Sequence, residues 1–341
     1  MKTLLIKPKD CNDLKELNKA ADILKNGGLV AIPTETVYGL AASAFCSAAV
    51  KNIFKAKGRP SDNPLIVHIS DTSELDEIAC NITHEAQKCM NEFWPGPFTA
   101  VLPKTDKIPM CVSGGLNTVA VRMPNNDIAR KIIKLSGVPL AAPSANRSGS
   151  PSPSTAAHVI DDLSGRIDAI VVSDDCAVGV ESTVVSFAVN PPRLLRPGGI
   201  TAEQLKKIVP NLVIDPAVLA EPEKNAEVAS PGMKYKHYAP KADVTLIEGE
   251  CDAFIDYCNK NTDIDFALCF DEDLKSLNIT ASSYGGKNDF LSQAENLFKA
   301  LRDIDKKGYK RVVVHAPDKR EMGLAVYNRL IRAAGFKVIS L

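Results

Sequence analysis

Apolar residues recur along this chain at helical and strand spacings that alternate almost throughout. Leu14, Leu17, Ala21 and Leu24 stand at helical spacing and Gly27-Gly28 closes the segment, which predicts a helix over 11–27. Leu29-Val30-Ala31-Ile32 is a short apolar strand that runs into Pro33-Thr34-Glu35-Thr36-Val37-Tyr38-Gly39-Leu40. Hydroxyls, a carboxylate and a glycine after a strand make either a ligand-facing turn or a turn merely capped by Thr34 and Thr36. A helix over 47–57 has Val50, Ile53 and Phe54 on one side, and the apolar run Leu65-Ile66-Val67-His68-Ile69 reads as a buried strand. Further helices are predicted near 73–80, 83–92, 127–135, 154–163 and 201–209, with Ser154 and Thr201 as N-caps of the last two. Strands are predicted at 98–102, 118–122, 139–142, 169–172, from 183, and at 193–196. Trp94-Pro95-Gly96-Pro97 is a rigid turn, and Trp94 packs beside it.

Residues 211–240 carry no periodicity, and to 228 the composition is that of a linker. At its end, Ser230-Pro231-Gly232-Met233-Lys234-Tyr235-Lys236-His237-Tyr238-Ala239-Pro240 holds aromatics, lysines and a histidine unusual in a passive tether. Beyond 243 the strands fall at 244–248, 266–270, 311–315 and 337–340, with helices near 251–260, 289–307 and 322–334. That alternation implies a mostly parallel, doubly wound sheet. No GxGxxG or Walker loop accompanies it, and Gly285-Gly286 is a turn. The fold expected is α/β: a twisted mixed open sheet with a concave site face over 1–210, a linker or lid over 211–240, and a small Rossmann-like parallel α/β domain over 241–341.

Composition narrows the chemistry. The 341 residues are 45% hydrophobic and 24% charged with a formal net charge of zero, an ordinary globular mix. Residues 1–240 hold 26 Lys and Arg against 25 Asp and Glu, and residues 241–341 hold 15 against 16, so neither part binds nucleic acid by bulk charge. Nine cysteines without a CxxC pair, and five histidines apart from any such pair, point to reduced thiols in the cytoplasm rather than to disulfides or a metal site. No apolar run is long enough for a membrane span or a signal peptide. What remains is a local basic element. Lys55, Lys57 and Arg59 lie within five residues, and Lys57 and Arg59 sit on a loop at a helix-to-strand junction, where a point charge and a planar fork suit phosphate oxygens unless the turn is simply a solvated one.

Several segments in order, PTETVYGL at 33–40, KGRPSDNPL at 57–65, FWPGPFT at 93–99, VAVRMP at 119–124, APSAN at 142–146, ESTVV at 181–185, RPG at 196–198 and SPGMKYKHYAP at 230–240, together resemble the threonylcarbamoyl-AMP synthase family in its two-domain form. The resemblance implies synthesis of L-threonylcarbamoyladenylate and diphosphate from L-threonine, bicarbonate or CO2, and ATP. The product would pass to a tRNA threonylcarbamoyl transferase complex, with tRNA binding weak or indirect. It also implies Mg²⁺ carried by the ATP phosphates and no protein-bound metal. By the same resemblance Lys57, Arg59, Ser144 and Asn146 form the catalytic motif. Arg59, Asn63, Thr118, Ser144, Ser152, Arg196 and Tyr235 would meet ATP, Tyr235 from a lid. Thr36, His68, Arg122, Ala142 and Ser182 would meet threonine, Arg122 through its carboxylate. Two other readings compete: a carbamoyl-adenylating enzyme on the same domain, and a non-catalytic RNA-binding protein. Diphosphate release that depends on threonine and bicarbonate, set beside a tRNA gel shift, separates the three.

Overall fold

The computed structural model describes residues 2–221 and 238–341. In the first part the strands are β1 (Leu4–Ile6), β2 (Val30–Ile32), β3 (Gly39–Ser43), β4 (Ile66–His68), β5 (Phe98–Pro103), β6 (Thr118–Arg122), β7 (Leu140–Ala141), β8 (Ala169–Val171), β9 (Thr183–Ser186), β10 (Arg193–Arg196) and β11 (Val213–Ile214). They join in one mixed sheet of eleven strands, ordered β1-β8-β2-β3-β7-β4-β6-β5-β9-β10-β11. The helices are α1 (Leu14–Lys25), α2 (Ser47–Lys57), α3 (His84–Phe93), α4 (Met110–Ser113), α5 (Asp127–Ser136), α6 (Ala156–Leu163) and α7 (Ala202–Ile208).

Period-two alternation sorts the strand residues between two helix layers. Val30 and Ile32 of β2 face one side with Leu17 and Leu24 of α1 and Ile132 and Ile133 of α5. Ala31 between them faces the other side with Ile53 of α2, Cys89 of α3 and Val159 of α6. Helix ends follow from local chemistry. The Asn126 side chain accepts from Ala129 N to start α5, and Thr201 forms a capping box with Gln204 on α7. Helix α6 is capped by Thr155, whose hydroxyl accepts from His158 N, and not by Ser154, so the helix starts later than its predicted span.

The second part is an all-parallel sheet, built from β12 (Asp243–Glu248), β13 (Phe266–Cys269), β14 (Ala281–Ser283), β15 (Arg311–His315) and β16 (Val338–Ser340), in the order β14-β13-β15-β12-β16. Helix α8 (Cys251–Lys260) covers one face, where Phe254 and Cys258 meet Ile247 and Ala267. Helices α9 (Phe290–Lys307) and α10 (Gly323–Ala333) cover the other. That second layer also packs on the first sheet's domain: Val37 and Val180 belong to the same buried cluster as Leu297, Leu301 and Leu330. Arg302 on α9 pairs with Asp162 on α6 at 2.7 Å. The two sheets are thus joined by a packed interface.

The segment expected to be linker from 211 is ordered at its start. Val213 and Ile214 pair in parallel with Arg193 and Leu194, which adds β11 to the large sheet.

Candidate active site

Residues from well-separated stretches converge on one cavity, about 730 Å³ of empty space counting its open mouth. Thr36, Lys57, Arg59, His68, Arg122, Ala142, Ser144, Asn146, Ser152, Ser182 and Arg196 line it, as do Glu181 and Tyr238. Of the other residues expected here, Asn63 is buried but does not line the cavity. Thr118 stands at the first position of β6 and Arg122 at the last, which sets their Cα atoms about 13 Å apart along the strand. Thr118 does not line the cavity either. Tyr235 and the rest of 222–237 lie outside the described residues.

The basic junction differs from its expected form. Lys57 is not on a surface loop: it is the last residue of α2 and only 3% exposed. Gly58 ends the helix at φ +64°, a left-handed turn that a side chain would strain. The Lys57 ammonium then reaches across to the loop after β7. It donates to the Ser144 carbonyl, to Asn146 O at 2.6 Å and to Asn146 Oδ1 at 3.3 Å. Burial, with Arg59 beside it, lowers the Lys57 pKa well below the ordinary lysine range. Three acceptors nevertheless use all three N–H bonds of an ammonium, and this geometry fits the charged form. Asn146 is equally committed, accepting from Ser144 Oγ at 2.5 Å and donating to Arg147 O and Ser150 O at 2.9 and 2.7 Å. Arg59 donates to Pro64 O at 3.2 Å.

The PTETVYGL stretch forms a turn that lines the cavity. Thr34 Oγ1 donates to Val37 O at 2.6 Å, so it accepts from Thr36 Oγ1 at 2.9 Å. Thr36 in turn accepts from Arg122 Nη1 at 2.9 Å. The turn is thus closed by Thr34 while Thr36 holds an arginine in the cavity wall. Arg122 also donates from Nε to Gly96 O at 3.2 Å and forms an ion pair through Nη2 with Glu35 Oε1 at 2.7 Å. Two of its five N–H bonds are spent, on Gly96 O and Thr36 Oγ1, while Nη2 faces Glu35 as a charge pair without hydrogen-bond geometry.

His68 ends β4 beside Arg122, its neighbour in the parallel pair of β4 and β6. Its Nδ1 is buried without a hydrogen-bond partner. Burial first, then the Arg122 charge, lowers its pKa from 6.5 to about 3. Burial and the charges of Arg302 and Lys306 lower that of His158 to about 4. Both are neutral in the fold at neutral pH and take up protons more readily when unfolded. Their contribution is full above about pH 6.5 and is lost as pH falls toward the folded values. Each is expected to cost about 1–2 kcal/mol of stability between pH 6.5 and 5. Urea midpoints at the two pH values measure this, and His68→Gln should flatten the slope.

On the far wall, Arg196 donates from Nε and Nη2 to Ser182 O at 3.1 and 3.0 Å, and Nη2 lies 3.2 Å from Ser182 Oγ. Ser182 Oγ also meets Thr99 Oγ1 at 2.7 Å. Only a glycine fits at 198: a Cβ there would stand 2.3 Å from Glu181 O and 2.4 Å from Thr183 N. Glu181, not foreseen from the sequence, is 6% exposed. Its Oε1 accepts from Ser152 Oγ at 2.5 Å and its Oε2 from Arg329 Nε at 2.9 Å. Burial alone would raise its pKa, but Arg329, Arg196 and the Ser152 hydroxyl outweigh this and lower it. Tyr238 closes the wall, packed on Phe298 with ring centroids 5.3 Å apart, and Ala239 N donates to Gly149 O at 3.0 Å. The end of the expected lid segment therefore rests against the cavity.

A family model described as "Telomere recombination" matches residues 22–198, and one described as "Threonylcarbamoyl-AMP synthase, C-terminal domain" matches 200–335. A threonylcarbamoyl-AMP synthase of Pyrococcus abyssi is 43% identical over 99% of this chain and 100% of its own length. The chain belongs to the threonylcarbamoyl-AMP synthase family. The Bacillus subtilis synthase is 41% identical over 95% of this chain and 94% of its own. The crystal structure of the P. abyssi synthase complexed with L-threonine superposes with a TM-score of 0.91 at 41% identity, covering 99% of this chain and 100% of that one. The expected architecture, a mixed sheet followed by a parallel-sheet domain, is that of the synthase structures. The carbamoyl-adenylating and RNA-binding readings give way to the synthase.

Among the described residues, one group has ligand atoms close enough for a metal: Cys251, Asp273 and His315, within 4.8 Å of one another in the second domain. His315 Nδ1 is already bonded to Asp273 Oδ2 at 2.7 Å and its Nε2 to Gly249 O at 3.0 Å, a buried pair away from the cavity in which Asp273 Oδ1 has no hydrogen-bond partner. No helix among these residues is long and apolar enough to cross a membrane.

Proposed function

We propose that this chain joins L-threonine, CO2 or bicarbonate, and ATP into threonylcarbamoyl-AMP and diphosphate, for the modification of tRNA. The observation that carries the reading is the charge of the cavity. In a chain of zero net charge it gathers Lys57, Arg59, Arg122 and Arg196 against Glu181, whose two oxygens are already bonded. Such a wall suits a triphosphate and a carboxylate together.

The threonine amine adds to CO2, loses a proton and becomes a carbamate. A carbamate oxygen attacks the α-phosphorus of ATP, and the bond to the β-phosphate bridge breaks as diphosphate leaves. Positioning and charge neutralisation carry such a displacement. Arg122 would offer N–H bonds not spent on Gly96 and Thr36 to the threonine carboxylate. Lys57 would hold the Ser144–Asn146 loop beneath the reacting groups, and Arg59, Ser152 and Arg196 would face the nucleotide. Asn63 and Thr118 would meet ATP only where it extends past the cavity. Mg²⁺ would sit on the phosphates and water, since the carboxylate lining the cavity is taken. The transferase complex that receives the product, and a cytoplasmic site of action, belong to the same proposal.

His68 Nδ1, buried and unpartnered at the cavity wall, is the candidate partner of the threonine hydroxyl. Serine, short of one methyl, should bind a few-fold more weakly, about 1 kcal/mol. Valine should be at least ~100-fold worse, because the partner of the hydroxyl is left unpaired. Equal turnover of threonine and valine would contradict this site. For the function itself, purified protein with labelled bicarbonate, threonine and ATP should yield labelled threonylcarbamoyl-AMP. No labelled adenylate under those conditions would refute the reading.

A further inference from the structure

The second domain reaches the cavity through a side chain that does not line it. Arg329 lies on α10 and is fully buried. Its Nε donates to Glu181 Oε2 at 2.9 Å and its Nη2 to the Glu181 carbonyl at 3.3 Å. Its Nη1 donates to Pro197 O at 2.5 Å and to Asn328 Oδ1 at 3.1 Å. One guanidinium therefore grips both of the adjacent segments, flanking the antiparallel pair of β9 and β10, that carry Ser182 and Arg196. Glu181 passes the contact on, since its other oxygen receives the Ser152 hydroxyl at 2.5 Å.

Adhesion between the domains does not need this ion pair. Val37 and Val180 already pack into the layer of α9 and α10. Asn328 Nδ2 bonds Val218 O and Arg332 Nη2 bonds Ala217 O, each at 2.7 Å. Apolar residues of similar volume often join buried surfaces at least as well as a charge pair, which must first be stripped of water. What the pair adds is direction. A carboxylate held at both oxygens has one rotamer, and that rotamer sets where the Ser152 hydroxyl points. The partners described for Arg122 on the opposite wall, Gly96, Thr36 and Glu35, all come from the first domain.

We propose that Arg329 is a positioning residue for the synthase reaction: through Glu181 it fixes Ser152, and by its own bond to Pro197 O it fixes the turn there, in the geometry that receives ATP, so the second domain completes the nucleotide side of the cavity without touching substrate. The inference rests on the synthase reading for the identity of the nucleotide.

Calorimetric titration of the full chain with a non-hydrolysable ATP analogue, and separately with L-threonine, tests it alongside steady-state synthesis. Arg329→Met should weaken the ATP analogue at least tenfold and raise the KM for ATP to match, with threonine affinity within twofold of wild type. Arg329→Lys, which keeps one bond to Glu181, should recover part of the loss. Combined with Glu181→Gln, Arg329→Met should cost clearly less than the product of the two single losses, because the part that runs through the Glu181 carboxylate is shared while the Pro197 bond is not. Unchanged nucleotide affinity, equal losses for nucleotide and threonine, or fully multiplicative effects would each overturn the proposal. If Arg329→Met does not fold, the isosteric Glu181→Gln carries the test: it should show the same ATP-selective loss, and wild-type ATP affinity in it would refute the role. A wild-type chain that binds both ligands and makes no adenylate would count against the synthase reading alone, since the binding arm reads Arg329 directly.

Discussion

Replacing Lys57 with methionine is expected to cost the fold about 3–5 kcal/mol and to reduce synthesis by more than ~100-fold. From the sequence, the residue belongs to a basic loop whose loss the fold would tolerate. The structure puts it 3% exposed, with its ammonium on three oxygens of the loop that carries Ser144 and Asn146. Methionine fills the space but leaves buried carbonyls without donors, at about 1–3 kcal/mol each. The loop then loses the anchor that sets the Asn146 side chain. Lys57→Arg should rescue little, because a planar fork cannot meet three converging acceptors as a tetrahedral ammonium does. Urea unfolding and threonine-dependent diphosphate release measure the two effects. Wild-type stability in Lys57→Met would show that the ammonium is not the tie described here.

The error about Lys57 marks where sequence reasoning stops. Periodicity foresaw α8 and β15 at their observed limits and α2 likewise, because each has an apolar face long enough to define its rhythm. It missed β1, β3, β11 and β14, each of two to five residues. Strands so short carry one or two inward residues, and β3 begins with a glycine after a run of hydroxyls that mimics a turn. The cavity was legible as a set of motifs, since eleven of the expected residues line it. Its supporting carboxylates were not. Glu35 and Glu181 lie inside quoted motifs, but their partners, Arg122 and Arg329, stand 87 and 148 positions away. Charge pairs across such separations leave no local pattern. A glutamate inside an otherwise apolar or hydroxyl-rich strand start was the available signal, because a buried carboxylate requires a cation somewhere in the fold.

The second large effect is expected at Arg122. Its guanidinium is 4% exposed and has two distinct duties in the geometry: it neutralises Glu35 at 2.7 Å behind the cavity wall, and it offers its remaining N–H bonds toward the cavity. Arg122→Met should abolish both. Leaving the Glu35 carboxylate buried without its cation should cost about 3–5 kcal/mol of stability. Losing two charge-assisted bonds to the threonine carboxylate, at about 1.5–3 kcal/mol each, should weaken threonine by at least ~100-fold. A single variant cannot separate these losses, but the pair can. Adding Glu35→Gln removes the stranded charge and should return most of the stability, while threonine affinity stays low because no donor has been restored. ATP affinity should change little in the double variant, since the described contacts of Ser152 and Arg196 do not pass through Glu35. Thermal unfolding and calorimetric titration with threonine read the two duties independently. If the double variant regains threonine affinity together with stability, Arg122 serves the wall alone and the amino-acid carboxylate is held by another group.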